Sequence, residues 1–105
     1  MQVRLKDIAN VIRSKNAGPY ELTLDVILKE REMFDKLKAA GIINAEVIAR
    51  LYKISVADVI SIVYFPNALA IKATIVRPLA SGNMGERDVY GAQQHAPLVN
   101  FEFEV

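Results

Sequence analysis

Arg13, Lys15 and Asn16 are followed, after Ala17, by Gly18-Pro19, which places two cations and an amide near a glycine free to aim backbone N–H groups at a ligand. This combination suits a carboxylate or a phosphate, with the cations supplying charge and Asn16 and the amides near Gly18 supplying neutral donors. A second polar segment, Asp-Val-Tyr-Gly-Ala-Gln-Gln-His-Ala-Pro at 88–97, contains His95, the only histidine of the chain. An unperturbed imidazole titrates near neutrality, so His95 is a candidate general acid or base. The Tyr90 hydroxyl is a candidate donor to an oxyanion, and Gln93 and Gln94 are candidates to orient a carbonyl or amide. Each set also has a plainer role. Cations close to a helix C-terminus complement its dipole, and polar side chains in an irregular segment satisfy backbone groups. Catalysis by this set requires the two segments to converge.

Other chemistries are disfavoured. A single histidine and no cysteine remove sites needing two imidazoles or any thiolate, and the carboxylates are too scattered for metal-ligand spacing, so no metal is expected. Gly82 and Gly85 lie in Ser-Gly-Asn-Met-Gly, which has neither the Lys-Ser/Thr of a phosphate loop nor the dinucleotide GxGxxG pattern, and no cofactor is expected. Ser14, Ser55 and Ser81 lack a nucleophile-elbow context. Thirteen Lys plus Arg against twelve Asp plus Glu give a formal charge of +1, too weak a field to draw in a nucleic-acid backbone. The longest apolar run, Val59 to Phe65, is far short of the roughly 20 residues that span a bilayer. Arg4, Lys6 and Asp7 interrupt any leader-like hydrophobic segment. With no cysteine for disulfides, a cytoplasmic setting is expected.

The 105 residues, 52% of them hydrophobic, suit one domain covering 1–105. Leu5, Ala9, Ile8 and Ile12 recur at helical spacing and predict a helix over about 5–14, closed by Gly18-Pro19. Tyr20, Leu22, Leu24, Val26 and Leu28 alternate with Glu21, Thr23 and Asp25, the period of a half-buried strand. Asp25 and Lys72 interrupt apolar strand contexts in a way that an outward sheet face explains. Met33, Phe34 and Leu37 mark a second helix ending at Gly41, and Asn44 caps a third whose apolar face carries Val47, Ile48 and Leu51. Ser55 to Asp58 predicts one helical turn, then Val59–Phe65 a strand, Pro66-Asn67-Ala68 a reversal, and Leu69 to Pro78 an antiparallel partner. The segment Leu79 to Gly91 has the composition of an exposed loop, and Val99, Phe101, Phe103 and Val105 alternate as a C-terminal strand. The expected class is α+β, with a mostly antiparallel sheet of about four strands and about three helices packed on one face.

The run from Ile12 to Asp25, with Asp88-Val89-Tyr90-Gly91-Ala92-Gln93-Gln94-His95-Ala96-Pro97-Leu98, Ile48-Ala49-Arg50-Leu51-Tyr52 and Ala70-Ile71-Lys72, resembles a small bacterial domain family of unknown function. Its members are found alone or as a C-terminal extension of proteins resembling the acyclic terpene utilisation protein. The resemblance implies association with a larger partner in the catabolism of branched or terpenoid acyl compounds. It carries no catalytic role over to any residue. Three functions are therefore compatible with the sequence. The chain is expected to be an accessory or small subunit of such a larger protein, acting on acyl or carboxylate compounds. Alternatively, it is a stand-alone hydratase- or isomerase-type enzyme using Arg13, Lys15 and His95. The third reading is a self-associating ligand-binding or structural module, with the final strand's edge pairing between copies to form a homo-oligomer.

Overall fold

A computed structural model describes residues 2–18, 20–76 and 96–105. Four antiparallel strands, β2 (Ala9–Asn16), β3 (Glu21–Leu28), β4 (Val59–Phe65) and β5 (Ala70–Val76), form one sheet in the order β2-β3-β5-β4. Two helices, α2 (Arg31–Ala40) and α3 (Ala45–Tyr52), lie between β3 and β4 in the chain. The α+β class with a four-stranded antiparallel sheet is as the sequence predicts.

β3 and β5 are the inner strands, and their alternation sorts the sheet into two faces. Leu22, Leu24, Val26 and Leu28 of β3, with Ile71, Ala73 and Ile75 of β5, are buried against Phe34 and Leu37 of α2 and Ile48 and Tyr52 of α3. At about 25 cal/mol per Å² of apolar surface, such burial is the main stabilising term of the fold. Phe34 meets Tyr64 of β4 edge to face, with ring centroids 5.9 Å apart, and the Tyr64 hydroxyl donates to the Ile43 carbonyl at 2.7 Å. Gly41 ends α2 with φ +62°, where a side chain would be strained. Asn44 joins the two helices: its Nδ2 donates to the Gly41 carbonyl at 2.8 Å, and its Oδ1 accepts from the Val47 N–H at 2.9 Å.

The chain departs from the sequence reading at both ends. The helix expected over 5–14 is a single turn, α1 (Leu5–Ile8), after which Ala9–Asn16 runs as β2 against β3. Ile12 satisfies a helical spacing from Ile8, but it also lies opposite Val26 in the ladder, and pairing along the full length of β3 decides the outcome. The expected C-terminal strand begins instead as a short helix, α4 (Ala96–Val99), and only β6 (Glu102–Glu104) is extended. β6 pairs with β1 (Gln2–Arg4), which the sequence reading did not anticipate, in a separate two-stranded ribbon. Phe101 and Phe103 stack there with centroids 5.3 Å apart, and with Leu5 and Leu98 they extend the core. Pro78 and the loop expected over 79–91 lie outside the described residues.

Tyr52 is buried with a hydroxyl that lies near the Leu98 main chain but lacks hydrogen-bond geometry to any described group. Burial pushes its pKa well above the ordinary tyrosine value of 10.0, and burial also raises that of Tyr64. Above that value the unfolded chain releases these protons while the folded chain retains them. Stability is therefore fully present below it and falls as pH rises. Thermal unfolding at about pH 8 and about pH 11 is expected to show a smaller alkaline loss for Tyr52→Phe than for the unaltered chain. Equal losses in both would mean that other groups cause the alkaline unfolding.

Candidate functional site

The helices cover one face of the four-stranded sheet, and no described element covers the other. Register assigns its residues: Arg13 and Lys15 of β2 stand opposite Asp25 and Thr23 of β3, and these stand opposite Lys72 and Thr74 of β5. Val63 of β4 continues the row beside Lys72, and Phe65 lies opposite Ala70. The result is a charged line, Arg13, Asp25, Lys72, crossing three strands, with Lys15 and Glu21 on the same face.

Asp25 is the unusual member of this line. It is only 7% exposed on a face that no helix covers, and Arg13 Nε donates to its Oδ2 at 3.1 Å. A carboxylate this sheltered needs a charged partner, which the guanidinium provides from a more exposed position. Lys15 and Lys72 form no ion pair with a described residue. Three cations thus share this face with two carboxylates, Asp25 and Glu21, leaving a local positive excess of one charge. Beside them a shallow groove of about 410 Å³ is lined by Arg13, Asp25, Ile27, Phe65, Ala70 and Lys72. Its mixture of apolar floor and cationic rim matches a ligand or surface that is apolar with a carboxylate end.

Of the residues singled out in the sequence, Arg13 and Lys15 share this face. They stand on a strand rather than at a helix terminus, so dipole complementation no longer accounts for them. Asn16 does not join them: it pairs with Leu22 and belongs to the core side of the sheet. Gly18 sits in the connection from β2 to β3 with φ +117°, a conformation that favours glycine, and the Ala17 N–H donates to the Glu21 carbonyl at 3.0 Å. Tyr90, Gln93, Gln94 and His95 lie outside the described residues.

The sequence reading explained Asp25 and Lys72 by an outward sheet face and did not connect them with Arg13. The signal for connecting them was parity: Arg13, Asp25 and Lys72 fall at matching positions of three strands once β2 is read as extended. Elsewhere, a cleft of about 210 Å³ lies among Asp7, Lys29, Glu30, Glu32 and Lys36, with charges of both signs and a volume below that of ordinary ligand pockets. Among the described residues no group of three or more His, Cys, Asp or Glu could hold a metal ion. No described helix is long and apolar enough to cross a membrane.

The fold and this face define a small α+β domain with one sheet surface that no described helix covers. A family model described as a domain of unknown function (DUF4387) matches residues 5–102, and the chain belongs to that family. Comparison with the curated proteins and with the solved structures finds no match.

The ion pair makes a measurable claim. Arg13→Ala is expected to lower the unfolding free energy by about 1 kcal/mol, less than breaking a fully buried pair costs, because solvent screens the exposed guanidinium. A double-mutant cycle with Asp25→Ala, followed by urea unfolding at low and high salt, reads the coupling directly. No coupling at either salt concentration would mean that other groups sustain the buried carboxylate.

Proposed function

We propose that the chain is an accessory domain that docks the face of its four-stranded sheet opposite α2 and α3 onto a larger metabolic protein of the acyclic terpene utilisation type. In this reading the cationic rim of the groove receives the carboxylate end of an acyl compound, or an acidic patch of the partner beside it. The observation that carries the proposal is the Arg13, Asp25, Lys72 line with its flanking Ile27, Phe65 and Ala70. A sheltered ion pair beside two lysines that form no ion pair with a described residue, on a partly apolar sheet face, has the make-up of a contact surface, in which charge sets orientation and apolar area supplies affinity. The class of partner comes from the sequence resemblance. A docking role also requires no convergence of Arg13 and Lys15 with His95, whereas acid–base catalysis does.

Co-purification tests the reading with the full chain, tagged and expressed at native level. The unaltered protein is expected to retain a larger polypeptide in stoichiometric amount. Lys15→Glu and Lys72→Glu, which reverse charge on the β2 edge and on the inner strand β5 of this face, are expected to release it with little change in thermal midpoint, since both side chains are exposed. A partner retained by both variants, or none bound by the unaltered chain, rejects docking through this face.

A further inference from the structure

The two edges of the four-stranded sheet are chemically unlike. β2 carries Arg13 and Lys15, and charges on an edge discourage pairing with another chain. β4 has the sequence Val-Ile-Ser-Ile-Val-Tyr-Phe, with no charged residue and no proline, and among the described residues it is paired only through β5. Ile60, Val63 and Phe65 are 50%, 41% and 43% exposed. Its one irregularity is a bulge between Val59 and Ser61, which leaves Ser61–Phe65 as a regular stretch ending at Pro66. A neutral apolar edge of this kind offers unpaired main-chain donors and acceptors to a strand of matching character.

We propose that β4 pairs antiparallel with β4 of a second copy of this chain, joining two four-stranded sheets into one continuous eight-stranded sheet. The occupant follows from charge. Pairing about a two-fold axis sets a strand against its own sequence, so any charge near the axis meets its like, and β4 has none to oppose while β2 has two. The bulge and Pro66 fix the centre of the regular stretch at Val63. An axis there sets Val63 against its counterpart, Ser61 against Phe65, and Ile62 against Tyr64. The last pair lies on the helix side, beside a shallow groove formed by Ile43, Asn44, Ala45 and Ile60 that the second copy's edge would cover. This edge pairing involves Val63 and Phe65, which also border the docking face, but Lys15 and Lys72 stand on β2 and β5 and take no part in the strand pairing.

The chain contains no cysteine, so a single introduced thiol reports on itself alone. Light scattering of the full chain is expected to give about twice its mass of 11.7 kDa. Val63→Arg, which brings two guanidinium groups together at the axis, is expected to weaken the dimer at least about tenfold while the circular dichroism of the fold is kept. Val63→Cys is expected to form a disulfide-linked dimer under diamide, and Val76→Cys, exposed on the sheet face at the far end of β5, is not. The Cys variants keep the test decisive even if Val63→Arg fails to fold. A chain that remains monomeric at every concentration tested overturns the proposal. So does a dimer unaffected by Val63→Arg, or cross-linking at Val76→Cys in place of Val63→Cys, which would mean stacked faces.

Discussion

The inner position of β3 constrains everything around it. Ladders on both sides bind its main chain, to β2 and to β5, so its register fixes theirs, and a slip of one residue would exchange the two faces of the sheet. That slip would bring Asp25 and Thr23 under the helices and expel Leu24 and Val26, a loss of several buried aliphatic side chains. The helices α2 and α3 therefore have one side on which to pack. Their capping at Gly41 and Asn44 turns the chain back over that side within four residues, Gly41 to Asn44.

The opposite side follows from the same alternation. The odd positions of β3 are polar at Thr23 and Asp25, and packing α2 and α3 over them would also desolvate the Arg13 guanidinium, a cost that the attraction within a buried ion pair often fails to repay. The described helices pack on the other side and avoid that cost. This placement also leaves Ile27, Val63, Phe65 and Ala70 at a surface where isolated apolar residues would be unremarkable but a row of them around a charged line is not. The charged line and its apolar flanks thus arise from the same strand sequence that builds the core.

Much of this architecture is legible without coordinates. The Leu22 to Leu28 alternation, the Gly41 stop, the Asn44 cap and the single turn before Val59 all rest on local physics: period, left-handed backbone and side-chain capping, whereas Tyr20, expected on the buried face, stands exposed in the turn before β3. The misreadings fall where a tertiary partner decides. Residues 9–16 satisfy helix and strand spacing equally at Ile8 and Ile12, and only the length of ladder offered by β3 selects the strand. Phe101 and Phe103 do alternate, yet their partner is Gln2–Arg4, about a hundred positions away, and nothing local announces it. For the candidate site, Arg13 and Lys15 were visible as cations near a turn. Their relation to Asp25 and Lys72 required knowing that all four stand on one face. Tyr90, Gln93, Gln94 and His95 remain a sequence expectation.

The β1 and β6 ribbon has a topological consequence. Gln2 stands opposite Glu104 and Arg4 opposite Glu102, the latter pair linked by a side-chain contact of 3.3 Å, so the described chain enters and leaves at neighbouring points. Linking two points already side by side costs little loop entropy, because that cost grows only with the logarithm of linker length. A domain arranged in this way can be carried within a surface loop of a host polypeptide, or have its ends joined and be reopened elsewhere, without stretching its own strands.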